Sequence, residues 1–88
     1  MIKGSKDDFI VIIEELEKSI TESLKSEHST EERISGYRER MARLCAKDYY
    51  EKQISEEEKL LSQLRRIREN GEKFLGEVKK SYSEQYGI

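Results

Sequence analysis

The sequence predicts an all-α protein: an antiparallel helical hairpin with a long central helix and a shorter third helix, completed by a second copy as a dimeric helical bundle. Three observations predict this. The 88 residues contain no proline and 41% charged residues, a composition rich in Glu, Lys, Arg and Leu that belongs to long helices and coiled coils. Apolar residues recur at helical spacing from Phe9 onward. The stretch from Ser29 to Glu69 carries a single glycine, and its apolar stripe changes direction halfway along. A stripe that turns needs two different partners.

The core available to such a fold is thin. Leu, Ile, Val and Phe total 20 of 88 residues, only just above the level of roughly 20% at which charged chains tend to stay disordered. A narrow apolar stripe on one helix buries little without a facing stripe. A second copy related by a two-fold axis is the most economical cover for the open side of each helix pair.

The first helix is expected over residues 6–26. Ser5 with Asp8 three residues later is an N-terminal cap, and Asp7 and Asp8 sit where the helix dipole favours negative charge. Phe9, Ile12, Ile13, Leu16, Ile20 and Leu24 fall within about 120° of one another, which makes one continuous face. Ile10 flanks it, and Val11 points the other way. Ser26 to Thr30 is a polar segment expected to turn, since Ser29 with Glu32 fits a capping box.

The second helix is expected over residues 30–69. Its first half presents Ile34, Tyr37, Met41, Leu44, Cys45 and Tyr49, its second half Leu60, Leu61, Leu64 and Ile67. The two faces are centred roughly 100° apart. Ser55 with Glu58 offers an alternative helix start after a break near Gln53. Residues 46–60 hold neither Gly nor Pro, which favours one continuous helix. Asn70-Gly71 reads as a C-terminal stop, with Arg65, Arg66 and Arg68 in the last turn. Gly71 nevertheless lies in phase with Leu64, Ile67, Phe74 and Val78. A third helix over residues 72–85 then carries Phe74, Leu75, Val78 and Tyr82, and Tyr86, Gly87 and Ile88 fray. Helix lengths place the first helix along the first half of the long one and the third along its second half.

Charge excludes little outright but favours no polyanion. Seventeen Lys and Arg face nineteen Asp and Glu, so no global field draws nucleic acid or an anionic membrane. Residues 1–28 are net −3, residues 29–54 net +1 and residues 55–88 neutral. The single cysteine, Cys45, has no internal disulfide partner, which fits a reducing compartment. The longest apolar run, Phe9 to Ile13, is far short of the roughly 20 residues a spanning helix needs. A cytoplasmic location is the expectation.

Chemistry finds little footing. Carboxylate-bridged metal sites in helical bundles need a Glu-x-x-His motif on inward faces, and the one histidine, His28, is preceded at that position by Lys25. Its proximity to Glu31 and Glu32 makes a local polar pair in a turn. Glu56, Glu57 and Glu58 read as a solvated or N-terminal acidic run. Cys45, on the apolar stripe between Leu44 and Ala46, reads as an inert buried thiol. No phosphate loop, paired-cysteine motif or triad is present, so no enzyme, cofactor, metal or small-molecule substrate is expected.

The expected role is a non-enzymatic protein–protein interaction module: an adaptor, assembly factor or inhibitor of a larger protein. Self-assembly is assigned to Phe9, Ile13, Leu16, Ile20, Met41, Leu44, Leu60, Leu64 and Phe74. Partner contact is assigned to Tyr49, Tyr50 and Ile54, where the stripe turns and aromatic residues can anchor an interface. The alternative is a small helical nucleic-acid-binding regulator using Arg33, Arg40, Arg43 and Lys47, which share one side of the long helix. Glu31, Glu32, Glu39, Asp48 and Glu51, interspersed among them, weaken that field.

Overall fold

The computed structural model describes residues 3–87, and these form two long helices packed against each other. Helix α1 runs Lys6–Leu44 and helix α2 runs Lys47–Tyr86. The hairpin is a rod of 61 × 17 × 15 Å, the length that about 40 residues give at a rise of about 1.5 Å each.

The start of α1 is set locally, as its sequence predicts. The Asp8 amide donates to Ser5 Oγ at 3.2 Å and the Ser5 amide donates to Asp8 Oδ2 at 3.4 Å, so two of the orphan donors at the helix start are satisfied reciprocally. Helix α2 ends at Gly87, which is left-handed at φ 70° and whose N–H donates to the Ser83 carbonyl at 2.8 Å. Tyr86 does not fray: its hydroxyl donates to the Gly4 carbonyl at 2.6 Å and ties the two chain ends together. Ile88 lies outside the described residues.

Three expected boundaries are corrected. Residues 26–30 are helical, and the Ser29–Glu32 capping box goes unused. Thr30 is buried there and its hydroxyl donates back to the Ser26 carbonyl at 2.8 Å, a bond that threonine makes inside helices. Asn70-Gly71 also continues the helix. Gly71 stands opposite Ile20, whose Cγ1 lies 3.8 Å from the place a Cβ would occupy. The glycine thus narrows the inter-helix contact. The true reversal is at Cys45-Ala46, inside the segment expected to be one long helix. Cys45 is left-handed at φ 54°, a conformation that costs a non-glycine residue roughly 1–2 kcal/mol.

That reversal also explains the turned stripe. The apolar face changes direction because the chain does. Counting from the link, α1 presents Phe9, Ile13, Leu16, Ile20, Ser23, Glu27, Thr30, Ile34, Tyr37 and Met41 to its neighbour. Helix α2 presents Tyr50, Ile54, Glu57, Leu61, Leu64, Arg68, Gly71, Leu75, Val78 and Tyr82. Every one of these is buried or half-buried. Their spacing alternates four and three, the heptad repeat of a coiled-coil seam. Facing positions have residue numbers that add up to 91, as Phe9–Tyr82 and Ile20–Gly71 do.

The pairing of segments therefore differs from the expected one. The N-terminal half of α1 lies along the C-terminal half of α2, with Phe9 1% exposed against Tyr82 and Tyr86 at ring separations of 5.7 and 5.9 Å. Near the link, Ile34, Ile54 and Leu61 form a buried cluster with Tyr37 and Met41 against it. Residues 48–55 are helical throughout.

Two glycine exchanges of opposite sense test this fold. Gly71→Ala should stabilise the hairpin by about 1 kcal/mol, because the helix gains alanine's propensity and the added Cβ meets Ile20 at ordinary contact distance. Cys45→Gly should also stabilise, by roughly 0.5–1 kcal/mol, by relieving the left-handed residue. Thermal unfolding followed by circular dichroism measures both. A fall in midpoint for Gly71→Ala would show that the chain does stop there.

Candidate interaction surface

A two-helix seam leaves two long faces, one above and one below the plane of the helices, and here they differ in chemistry. The first is stitched by ion pairs that cross from α1 to α2: Glu17–Lys79 at 3.0 Å, Glu31–Arg65 at 2.8 Å and Arg38–Glu58 at 2.8 Å. In each pair the residue numbers add up to 96, so the three sit on one line flanking the seam. Exposed pairs of this kind contribute at most about 1 kcal/mol each, but they fill this face with matched charge. Leu24, exposed, stands alone between the first two pairs.

The middle of the seam is polar as well. Glu27 is 5% exposed, and its carboxylate accepts from Arg68 Nε at 2.5 Å and Arg68 Nη2 at 3.3 Å, a two-pronged contact that matches guanidinium to carboxylate. Arg65 Nε approaches the same carboxylate at 3.6 Å, and Arg68 Nη1 reaches Glu72 at 2.9 Å. The chain Glu31–Arg65–Glu27–Arg68–Glu72 alternates sign along its length. The Glu27 hydrogen bond, and after it that of Glu72, raises the Arg68 pKa above the ordinary arginine value. The folded state therefore holds this proton more tightly than the unfolded one. The stabilisation is fully present below the ordinary arginine pKa and disappears only as pH rises through the raised one.

The opposite face is apolar on its α2 side. Leu60, Ile67 and Phe74 follow one another at seven-residue spacing and are 38%, 63% and 45% exposed. Across the seam from them α1 offers Ser19, Ser26 and Arg33, the last held by Glu57 at 3.1 Å and by the Thr30 hydroxyl at 3.1 Å. Ser26, Ser29 and Leu60 line one shallow groove over Leu64. In the heptad Leu61, Leu64, Ile67 of α2 the apolar pattern thus occupies three positions where a two-stranded seam uses two. Three of seven is the pattern of a helix with neighbours on two sides.

The structure separates the residues assigned to self-assembly into two sets. Phe9 is closed inside the chain, and Ile13, Leu16, Ile20, Met41 and Leu64 are half-buried along the intramolecular seam. Leu60 and Phe74 are exposed together on the apolar face, and Leu44 is exposed at the link. Ile67, absent from that assignment, lies between Leu60 and Phe74 and is the most exposed of the three; its seven-residue spacing to each neighbour was the available signal.

Of the residues assigned to partner contact, Ile54 is part of the buried cluster and Tyr50 is half-buried against Tyr37 at 6.1 Å. Tyr49 is exposed and packs edge-on to Tyr50 at 5.1 Å. Among the four residues of the alternative reading, Arg33 is engaged by Glu57 and Lys47 lies 3.8 Å from Glu51, while Arg40 and Arg43 are exposed.

Cys45 is exposed at the link, contrary to its expected burial on the stripe. It sits where α1 has just ended, so the phase of the stripe no longer places it. His28 lies mid-helix and pairs with Glu32 at 3.0 Å on the solvent side. Among the described residues no group of three or more His, Cys, Asp or Glu is placed to hold a metal ion, and no helix is long and apolar enough to cross a membrane.

The buried pair makes a sharp prediction. Glu27→Leu alone should lower the urea midpoint, because it leaves Arg68 facing an apolar side chain. The double change Glu27→Leu with Arg68→Leu should restore or exceed the original midpoint, since well-packed apolar pairs commonly match buried ion pairs in stability. A double variant less stable than the single one would show that the network contributes more than its desolvation costs. Compared with protein-family models, with curated proteins and with solved structures, the chain matches none.

Proposed function

We propose that this chain is a non-enzymatic protein–protein interaction module, a small helical hairpin that completes a bundle with a second copy and serves as an adaptor, assembly factor or inhibitor of a larger protein. The single observation that carries the reading is the exposed line Leu60–Ile67–Phe74, on the face opposite the three aligned cross-helix ion pairs. Large apolar side chains at regular helical spacing on one face of a charged rod are the usual mark of an interface. A rod two helices thick also has few residues that are covered on all sides, and only five apolar residues are buried among those described. Association would cover the line and thicken the core at once.

Tyr49 and Tyr50 at the link are the positions we assign to contact with the larger partner. Tyr49 is exposed near the link, where a partner can reach it, and it stands edge-on to Tyr50, which is half-buried at the last layer of the seam. Tyrosine is enriched in interface anchors because it offers large area at low entropic cost.

Sedimentation equilibrium across the micromolar range tests the association. The expected result is a dimer for the unmodified chain and a helical monomer for Ile67→Asp, with a shift in apparent dissociation constant of at least a hundredfold. Ile67 is mostly exposed within the hairpin, so helix content should change little in that variant. A folded, monomeric unmodified chain at micromolar concentration would refute the reading.

A further inference from the structure

The apolar face has a symmetry that identifies its occupant. Leu60 and Phe74 are equidistant from Ile67 along α2, each about 10.5 Å away by helix rise. The register of the hairpin places Ser26 of α1 within two residues of the level of Ile67. Consider a two-fold axis crossing the rod at that level, in the plane of the face. It sets α2 antiparallel to α2 of a second copy and α1 antiparallel to its α1. Ile67 then meets Ile67 of the second copy, and Leu60 meets its Phe74.

Polar flanks obey the same axis. On α2 the positions one turn before and after Ile67, on the outer flank of the apolar line, are Gln63 and Asn70. The corresponding positions further out are the acidic Glu56 and Glu77. Charge is therefore missing where the axis would bury it, and two amides that can donate and accept meet across it. Glu56 and Glu77 of the second copy do approach one another at the ends, where Lys59 and Lys73 stand within one turn of them.

Helix α1 is divided in charge by the axis. On the N-terminal side this face carries Glu15 and Glu22; on the C-terminal side it carries Arg33 and Arg40. Antiparallel apposition brings the acidic half of one α1 onto the basic half of the other, twice. Small residues at Ser19 and Ser26 permit close approach of the two α1 helices. An unrelated partner would impose no such relation between the two halves of one helix. The face is also large enough: its 61 × 17 Å dimensions give about 1,000 Å², against roughly 800 Å² per partner in an interface of standard size.

From this complementarity the geometry points to an isologous four-helix bundle, in which a second copy of the chain docks on the Leu60–Ile67–Phe74 face about a two-fold axis at the level of Ser26 and Ile67. The inference rests on the dimeric reading above and fixes which face, which register and which direction it uses. It gives Arg40 an acidic protein surface as its partner in place of a phosphate backbone, and adds one to Arg33, which Glu57 already holds.

Site-directed cross-linking of the full chain in a Cys45→Ser background tests the geometry, because a residue on a two-fold axis is next to its own copy. Ile67→Cys and, separately, Ser26→Cys should each give covalent dimers on mild oxidation. Leu60→Cys and Phe74→Cys should cross-link when mixed and at least tenfold less when oxidised separately. Ser62→Cys, on the ion-paired face, should give none. Sedimentation of every variant before oxidation accompanies the assay. Dimeric variants that cross-link at neither Ile67 nor Ser26 would overturn this interface while leaving the dimeric module standing. A monomeric unmodified chain would overturn both. Efficient self-linking through Ser62→Cys would place the dimer on the other face and likewise refute the arrangement.

Discussion

The two-residue link at Cys45-Ala46 governs every long-range contact in the molecule. With only two residues between α1 and α2, the helices must run antiparallel and their register is fixed at the reversal. The Phe9–Tyr82 ring contact and the Ile20–Gly71 approach fall at the levels this reversal dictates, and Arg68, one turn along from the level of Glu27, reaches it with its long side chain. Inserting one residue would rotate a whole helix by about 100° relative to the seam. Antiparallel packing along some 60 Å of helix outweighs the local cost of a left-handed cysteine.

Polar residues within the seam add selectivity to that register. Ser23, Glu27 and Thr30 on α1 and Glu57 and Arg68 on α2 occupy positions that a maximally stable coiled coil would give to Leu or Ile. Glu27 and Arg68 match only in this alignment, since a displaced helix would leave a buried carboxylate beside apolar groups. The seam is apolar towards its ends, with the Phe9–Tyr82–Tyr86 ring cluster at the open end and the Ile34–Ile54–Leu61 cluster towards the link. Stability resides in these two clusters, and alignment in the charged middle.

The two faces divide the remaining work. Cross-helix ion pairs occupy one and leave it suited to water; the other keeps a line of large apolar side chains that the hairpin alone does not cover. In the proposed dimer, such a helix pair makes half of a four-helix arrangement. A dimer of that kind would gain core by association, which would link stability to concentration. Near the link, Tyr50 closes the last seam layer against Tyr37 and leaves Tyr49 exposed beside it.

Much of the secondary structure was legible in the sequence, and the site only in part. Helicity, the Ser5–Asp8 cap, the end near Tyr86 and the Phe9-to-Ile20 stripe follow from local chemistry, which composition and spacing express directly. The heptad phase was obscured because Glu27 and Arg68 are charged and read as surface; their seam role exists only when each has the other. Leu60 and Phe74, exposed in the structure, were assigned to assembly together with seam residues that the hairpin itself consumes. The position of the reversal was hidden for a further reason. Residues 26–30 carry turn-prone serines and Asn70-Gly71 a stop signal, whereas Cys45-Ala46 carries neither. Local propensities of about 1 kcal/mol per residue are small beside the burial gained along two full helices. The sequence by itself determined that this protein is helical and amphipathic, while only tertiary packing decided where the chain turns back and which polar residues lie inside.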